Sequence, residues 1–460
     1  LAAGLKLKIN FVTPLLTTYF RPQYLRNLVF MKSFKLLFFT ILFFVVFVLG
    51  ANAQTIHLEQ SKVSGIYKSG DNIRVTVFSE GLAPDSISVK ILENYNEIQN
   101  KKIKWPGDSL VVFNGKPEGP ASFIVEIKAE DEFSSIGLVV DPEEFQPGTE
   151  RPKDFKQFWK NERKAFRALP TEIKSMAVEN IDVNFECSDI EINCTGPKPA
   201  RGYFAKPKSA APKSLPIVLF VHAAGVKGSW CLAQPETAIN YAKMGKGALA
   251  FDLNAHGMLN GQPQKYYHDL EAGDLKNYYF QGLESREEFY FRGMYLRLMR
   301  TLDFLTSQPE WDGKRIIVIG ESQGGGQALA AAGLDDRVTA VVATVPAMCD
   351  WGGTLTGSKG GWPQPFAQSG DQQKMLQTLP YFDAAHLLKN SKATIVTEIG
   401  FIDYTCPSNS IYAAINQSKG KKIVFGVPYR GHHVDQKQYQ KIWEETVYQP
   451  KMEFIEDFLK

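Results

Sequence analysis

Between residue 55 and about residue 140 the chain alternates apolar and polar positions with a period of two. Asn72-Ile73-Arg74-Val75-Thr76-Val77-Phe78, Ile87-Ser88-Val89-Lys90-Ile91-Leu92 and Ser122-Phe123-Ile124-Val125-Glu126-Ile127 each read as a strand with one buried face. Gly70-Asp71, Pro106-Gly107-Asp108 and Lys116-Pro117-Glu118-Gly119 separate such runs as turns. No stretch here keeps a helical period, so residues 54–140 are expected to form a small all-β sandwich, immunoglobulin-like in kind. The segment carries no cluster of histidine, cysteine or paired carboxylates. It therefore reads as a spacer or packing module in preference to a carbohydrate-binding one.

Residues 141–150, beginning Asp141-Pro142-Glu143-Glu144-Phe145-Gln146-Pro147-Gly148, are a linker by composition. Beyond them, in residues 151–460, strands and helices alternate, the pattern of an α/β domain. Phe155-Lys156-Gln157-Phe158-Trp159 opens a helix whose aromatics recur at helical spacing, for docking more than for chemistry. Ile217 to Val221 and Ala248 to Asp252 are unbroken apolar runs, as in buried parallel strands. Residues 289–308 form a helix with Tyr295, Leu298, Met299, Leu302 and Leu305 on one side. Further strands are expected at Arg315–Ile319, Val338–Val345, Thr394–Glu398 and Lys422–Val427.

At the end of the Arg315–Ile319 run stands Gly320-Glu321-Ser322-Gln323-Gly324-Gly325, followed by the small-residue segment Gln327 to Ala332. Strand, sharp turn and helix with serine at the apex is the G-x-S-x-G nucleophile elbow of an α/β-hydrolase. A serine hydroxyl is weakly nucleophilic. It needs a histidine to take its proton and a carboxylate to orient that histidine. In this fold the order is Ser, then Asp or Glu, then His, each on a loop after a strand. Thr394–Glu398 runs into Asp403, and Ile423–Val427 runs into Arg430-Gly431-His432-His433. Ser322, Asp403 and His432 are thus the catalytic candidates. His432 is preferred to His433 because it directly follows the turn. A metal site of His432, His433 and Asp435 is the minor alternative, since adjacent histidines seldom share one ion. The backbone N–H groups of Gln323 and Ala223 are the candidate oxyanion donors, the latter from the small-residue loop His222-Ala223-Ala224-Gly225. His222 itself reads as a satisfied histidine lining that turn.

The second domain resembles the acetyl xylan esterase and cephalosporin C deacetylase family, carbohydrate esterase family seven. The resemblance runs from Arg151-Pro152-Lys153-Asp154-Phe155-Lys156-Gln157-Phe158-Trp159 nearly to the C-terminus. It takes in Phe289-Tyr290-Phe291-Arg292-Gly293-Met294-Tyr295, the Ser322-Gln323-Gly324-Gly325 elbow, Tyr381-Phe382-Asp383, Asp403-Tyr404-Thr405-Cys406-Pro407 and Gly431-His432. It implies Ser322 as nucleophile, Asp403 as orienting acid and His432 as base. Three departures stand out. Asn254-Ala255-His256 replaces the usual R-G-Q, Ala223 stands where an aromatic is usual in the oxyanion loop, and His433 stands where a glutamate follows the histidine. The family often forms compact hexamers; a homo-oligomer is therefore expected, unless the additional β domain blocks that assembly.

The remaining features place the chain. From Met31, Lys32 and Lys35, the apolar run Leu36–Leu49 and Ala51-Asn52-Ala53 read together as a secretory signal, residues 31–53, cleaved after Ala53. Residues 1–30 lie upstream of that complete signal and read as a misassigned extension. The apolar run is short for a span of ~20 residues, and no cysteine follows the cleavage point, so no stable membrane or lipid anchor is expected. The segment to Ala53 holds six of the 52 Lys and Arg and none of the 49 Asp and Glu, so its removal turns the formal charge from +3 to −3. That balance argues against nucleic acid as a partner. Of the five cysteines, Cys187 and Cys194 are near enough in sequence to staple a hairpin, and no C-x-x-C pair suggests structural zinc. The expectation is a secreted or periplasmic serine esterase, without metal or organic cofactor, that removes acetyl groups from acetylated xylan or a related carbohydrate. Tyr266, Tyr267, Trp351 and Trp362 are expected in loops near the mouth of its site. The alternatives are a peptidase or other ester hydrolase on the same fold, and a non-catalytic glycan-binding protein on a hydrolase scaffold.

Overall fold

The alternation between residues 55 and 140 translates into eight strands. They are β1 (Thr55–Gln60), β2 (Ile66–Tyr67), β3 (Ile73–Glu80), β4 (Ser86–Glu93), β5 (Asn96–Lys104), β6 (Ser109–Gly115), β7 (Ala121–Ala129) and β8 (Glu132–Val140). This computed structural model describes residues 55–80, 84–130, 132–179, 182–434 and 436–460, so the expected signal, residues 31–53, lies outside the described residues. The strands form two sheets, ordered β1-β3-β6 and β2-β8-β7-β4-β5. Ile73, Val75 and Val77 of β3 face Ile87, Val89 and Ile91 of β4 and Phe123, Val125 and Ile127 of β7 in one core. Each set lies at every second position, as a pleated strand requires. The β4–β5 hairpin turns at Asn94 and Tyr95, with φ of 50° and 70°. Two left-handed residues give the turn whose twist matches the flanking strands.

Strand β8 departs from alternation because it is covered on both faces. Leu138 and Val140 join the sandwich core, while Val139 joins the core of the following domain. The segment expected as a linker is likewise docked. Gly148 donates to Asp350 Oδ1 at 2.7 Å, and a Cβ there would lie 2.1 Å from the Gly352 carbonyl. Glycine serves close backbone approach here, not slack.

The second domain is built on a nine-stranded sheet. Its strands are β9 (Ile173–Ala177), β10 (Phe185–Ile192), β11 (Ala200–Pro207), β12 (Leu215–Val221), β13 (Leu249–Asn254), β14 (Trp311–Glu321), β15 (Ala340–Thr344), β16 (Thr394–Gly400) and β17 (Lys422–Val427). Their order is β17-β16-β15-β14-β12-β13-β11-β10-β9. From β13 to β17 all pairings are parallel, and β9 to β11 add an antiparallel wing. Helices α1 (Phe155–Ala168), α2 (Tyr290–Thr306), α3 (Gln323–Leu334), α4 (Ser408–Ile415) and α5 (Gln449–Leu459) flank it. Helix α1 docks as its aromatic spacing predicts: Phe155, Phe158 and Trp159 are buried, and the Trp159 indole donates to the Tyr381 carbonyl at 3.0 Å. All five cysteines are free thiols. A Cys187–Cys194 staple is excluded by geometry, because β10 carries Cys187 and runs extended to Ile192, separating the two along one strand rather than across a hairpin.

At the C-terminal ends of the parallel strands the chain buries charge. Glu398, fully buried on β16, accepts from Arg430 and Lys451, and from the Trp443 indole at 2.6 Å. Burial lowers the Lys451 pKa, and the charge of Glu398 opposes that shift. The network ties α5 and the Arg430 turn to the end of β16. Removing one partner of such a group leaves the others charged and unpaired. Glu398→Ala should therefore cost about 3–5 kcal/mol in urea unfolding. A loss below about 1 kcal/mol would show that the network is not what holds these segments together.

His256, in the turn after β13, is buried between two hydrogen bonds, Nδ1 with Tyr290 Oη at 2.7 Å and Nε2 with the Gly225 carbonyl at 2.9 Å. Burial, helped by the Arg297 charge, pushes its pKa down from 6.5 to about 3, so the folded protein holds it neutral. The unfolded chain binds that proton near pH 6.5 and the folded chain does not. The stability it contributes is complete above pH 6.5 and is lost as pH falls towards 3, at about 1.4 kcal/mol per pH unit. His386, lowered to about 4 by burial, acts in the same direction, and His222, whose pKa is raised, in the opposite one. Comparison of His256→Gln with the parent isolates the His256 contribution. Urea unfolding between pH 7 and pH 5 should show a shallower fall in the variant, and equal slopes would refute a neutral buried imidazole.

Candidate active site

Ser322 sits between the last residue of β14 and the first of α3, with φ of 55° and ψ of −118°. A non-glycine residue in that region is strained, and the surroundings must hold it there. Glycine on both sides makes the turn feasible. A Cβ at Gly320 would lie 2.4 Å from Gly324, and one at Gly324 would lie 2.3 Å from the Val221 carbonyl. Strand β15 and the chain after it complete the clamp: Ser322 N donates to the Thr344 carbonyl at 2.9 Å, and the Ser322 carbonyl accepts from Ala347 N at 2.9 Å.

The hydroxyl so presented meets the other two predicted residues. His432 Nε2 lies 3.0 Å from Ser322 Oγ, and His432 Nδ1 lies 2.8 Å from Asp403 Oδ2. Asp403 is fully buried, and its Oδ1 accepts from Thr405 N at 2.7 Å and Cys406 N at 2.8 Å. With the carboxylate fixed by two amides, the imidazole donates through Nδ1 and offers Nε2 to the serine hydroxyl. Such a chain can draw a proton from Oγ as it attacks an electrophile. His433 lines the same cavity with its ring edge-on to His432 at 5.3 Å, but His432 makes both bonds. Asp435, the third member of the alternative metal set, is outside the described residues.

Asp403, Cys406 and His432 do bring an oxygen, a sulfur and a nitrogen within 4.8 Å of one another. Their chemistry is already committed. Both Asp403 oxygens are hydrogen-bonded, and burial holds the Cys406 thiol well above its ordinary pKa, in the form that does not bind metal.

The loop expected to supply the second oxyanion donor is held by its carbonyls. His222 O accepts from the Gln327 amide at 3.3 Å, Ala224 O from the Trp230 indole at 2.9 Å, and Gly225 O faces His256. Gln323 is buried, with its side-chain oxygen taken by the Tyr278 hydroxyl at 2.6 Å. Tyr278 also packs edge-on against His256 at 4.4 Å, so one buried aromatic cluster supports both sides of the cavity. The Asn254-Ala255-His256 departure therefore belongs to the supports and not to the cavity wall. His222 is satisfied, as expected: its Nε2 contacts Asp252 and its Nδ1 lies 3.2 Å from the Trp230 carbonyl. Burial lowers its pKa, but Asp252 outweighs that and the net shift is upward.

These residues open onto a cavity of about 770 Å³ whose wall is largely apolar, with Ala223, Leu232, Tyr241 and Trp362 around Ser322 and His432. Of the four aromatics expected at the mouth, only Trp362 is there. Trp351 is fully buried with its indole bonded to the Trp362 carbonyl at 3.1 Å, and Tyr266 and Tyr267 lie on the helix Gln264–Ala272, bonded to the turn before it. Trp230 and Tyr241 take the expected places on the wall. Trp230 follows the oxyanion loop closely enough to have been a candidate. Tyr241 and Tyr278 reach the site from segments whose local pattern carries no sign of it.

Known proteins resemble this chain to different depths. The acetyl xylan esterase (AXE1) family profile matches residues 139–449. An acetyl esterase, Axe7A, of Xylanibacter ruminicola is 28% identical over 377 residues, covering 80% of this chain and 84% of that protein. An acetyl xylan esterase from Paenibacillus sp. R4 superposes with a TM-score of 0.57 at 26% identity, over 69% of this chain and 98% of its own. Acetyl xylan esterase 1 from Thermoanaerobacterium sp. JW/SL YS485 does so at 0.54 and 21% identity, over 69% and 98%, and supports the fold alone. The profile spans the elbow, the Asp403 loop and the His432 loop in one match, and on that ground the chain belongs to the acetyl xylan esterase family, a family of carboxylic ester hydrolases.

Proposed function

We propose that this chain is an exported serine esterase that removes acetyl groups from acetylated xylan or related oligosaccharides. The observation that carries the reading is the unbroken line from Asp403 through His432 to Ser322, at 2.8 and 3.0 Å, opening into the cavity. Ser322 Oγ attacks the ester carbonyl as His432 Nε2 takes its proton. The imidazolium, stabilised by Asp403, returns that proton to the departing sugar hydroxyl, leaving Ser322 acylated. Water, deprotonated by the same imidazole, then releases acetate. The negative charge that develops on the carbonyl oxygen meets the N–H of Gln323 at the start of α3 and the N–H of Ala223. Across a trans peptide the N–H points opposite to the preceding C=O. The His222 carbonyl is tied to Gln327, which supports a free Ala223 N–H on the other side. Losing one such donor typically costs about 3 kcal/mol of transition-state stabilisation. Export rests on the Met31–Ala53 pattern.

The test is acetate release from acetylated xylooligosaccharides and from a small aryl acetate, with the parent and Ser322→Ala side by side. Both substrates should be turned over by the parent, and the variant should lose about 10⁴-fold or more in kcat. Turnover of the aryl acetate without release from the oligosaccharides would keep the serine mechanism and reject the xylan substrate. Cleavage of an amide analogue at a comparable rate would favour a peptidase.

A further inference from the structure

Among its described residues the N-terminal sandwich shows no metal-ligating cluster of its own, yet it does not touch the second domain at random. The tip of its β4–β5 hairpin brings the half-buried Tyr95 against the loop that follows Asp403. The Tyr95 hydroxyl accepts from Ser408 N, the first amide of α4, at 2.9 Å. That helix follows Pro407 and has no side-chain cap of its own, so a residue of the other domain satisfies its first free N–H. On β7, Glu126 Oε1 accepts from the hydroxyl of Tyr404, the neighbour of Asp403, at 2.7 Å. The Tyr95 and Tyr404 rings meet edge-on at 5.8 Å.

Strand β8 engages both loops. A Cβ at Gly137 would lie 2.5 Å from Phe401, and Gly137 N donates to the Pro428 carbonyl at 2.7 Å. The Ser135 carbonyl accepts from Gln436, whose amide also bonds to the Tyr429 carbonyl, each at 3.0 Å. Apart from Asn96 with Gly357, every hydrogen bond between residues 55–140 and 151–460 lands on 401–408 or 428–436, among the described residues. Those two segments carry Asp403 and His432.

We propose that the β-sandwich is a positioning element for the ester-cleaving site, in which Tyr95 and Glu126 fix the loop that holds Asp403 and β8 fixes the loop that holds His432. The inference rests on the catalytic reading above. Asp403 owes its orientation to the amides of Thr405 and Cys406, two residues of the loop that Glu126 and Tyr95 pin from outside through Tyr404 and Ser408. When these pins are lost, the loop gains freedom and the imidazole loses its fixed partner. A pure spacer would have no reason to concentrate its polar contacts there. Tyr95 and Glu126 touch no substrate and act only through Asp403.

The test uses the whole protein and a fluorophosphonate probe that labels the activated serine. Tyr95→Phe, Glu126→Ala and the double variant are compared with the parent, well below their melting temperatures, for labelled fraction, labelling rate per site, kcat and KM on an aryl acetate. Positioning predicts a full labelled fraction, a labelling rate and kcat lowered together by about 10- to 100-fold in the double variant, and an unchanged KM. Glu126→Gln keeps an acceptor for Tyr404 and should recover most of the rate. A double variant that labels and turns over at the parent's rate overturns the proposal. So does a reduced labelled fraction with an unchanged rate per site, the mark of a merely structural role. If the parent itself is neither labelled nor active, the proposed function fails first, and the positioning role falls with it.

Discussion

The strained backbone of Ser322 is the constraint from which the rest of the site follows. A residue at φ 55° and ψ −118° stays there only because its neighbours leave no lower-energy alternative. Two parallel strands supply the stiffness. Strand β14 delivers the chain to the turn, and β15 receives the Ser322 amide. Gly320 and Gly324 then allow α3 to start within contact of β12. The approach that strains the serine also brings the His222–Gly225 loop beside it. Nucleophile and candidate oxyanion donors are thus products of one packing event.

The partners of Ser322 are held differently, by loops whose polar groups are satisfied from behind. Asp403 is fixed by amides of its own loop, that loop is pinned by Tyr95 and Glu126, and the turn before His432 is anchored through Arg430 to Glu398. Loops carry fewer internal restraints than strands. Here each receives a second set from elements remote in sequence, including a domain that precedes the sheet altogether. The charged group beneath the Arg430 turn is costly to bury. It remains favourable only while Glu398 faces both cations.

Much of this was legible in the chain. Gly320-Glu321-Ser322-Gln323-Gly324 states its own geometry, since strand, turn and helix are all local patterns. Asp403 and His432 follow from the order of strands after Ser322, and the structure bonds His432 to Ser322 and Asp403 to His432. The β-sandwich strands emerged from period-two alternation. What stays hidden is the set of long-range contacts that support the triad without taking part in it. Tyr278 on Gln323, His256 on Gly225 and Tyr95 on Ser408 leave no local trace, because an aromatic or polar residue in a loop reads the same whether it docks or not. Trp351 shows the converse error. A tryptophan in a loop was expected at the mouth, but its loop folds inward and buries it completely. The Asp141–Gly148 segment shows the same limit: proline and glycine signal a break in regular structure, and say nothing of whether the break is docked.

Two histidine–aspartate pairs lie at this cavity, and the contrast between them shows what makes one of them suited to proton transfer. His222 contacts Asp252 through Nε2 and faces the Trp230 carbonyl through Nδ1, so both nitrogens meet acceptors. Such a ring is drawn towards the cation, and neither nitrogen faces a group with a proton to give. It can brace the oxyanion loop, but neither nitrogen is placed to take the serine proton. His432 has one acceptor, Asp403, and its second nitrogen meets a hydroxyl. A hydroxyl can donate, so that nitrogen stays free to receive a proton. The pairs differ by the identity of one neighbouring atom, a carbonyl oxygen against a serine oxygen, and that difference assigns their chemistry.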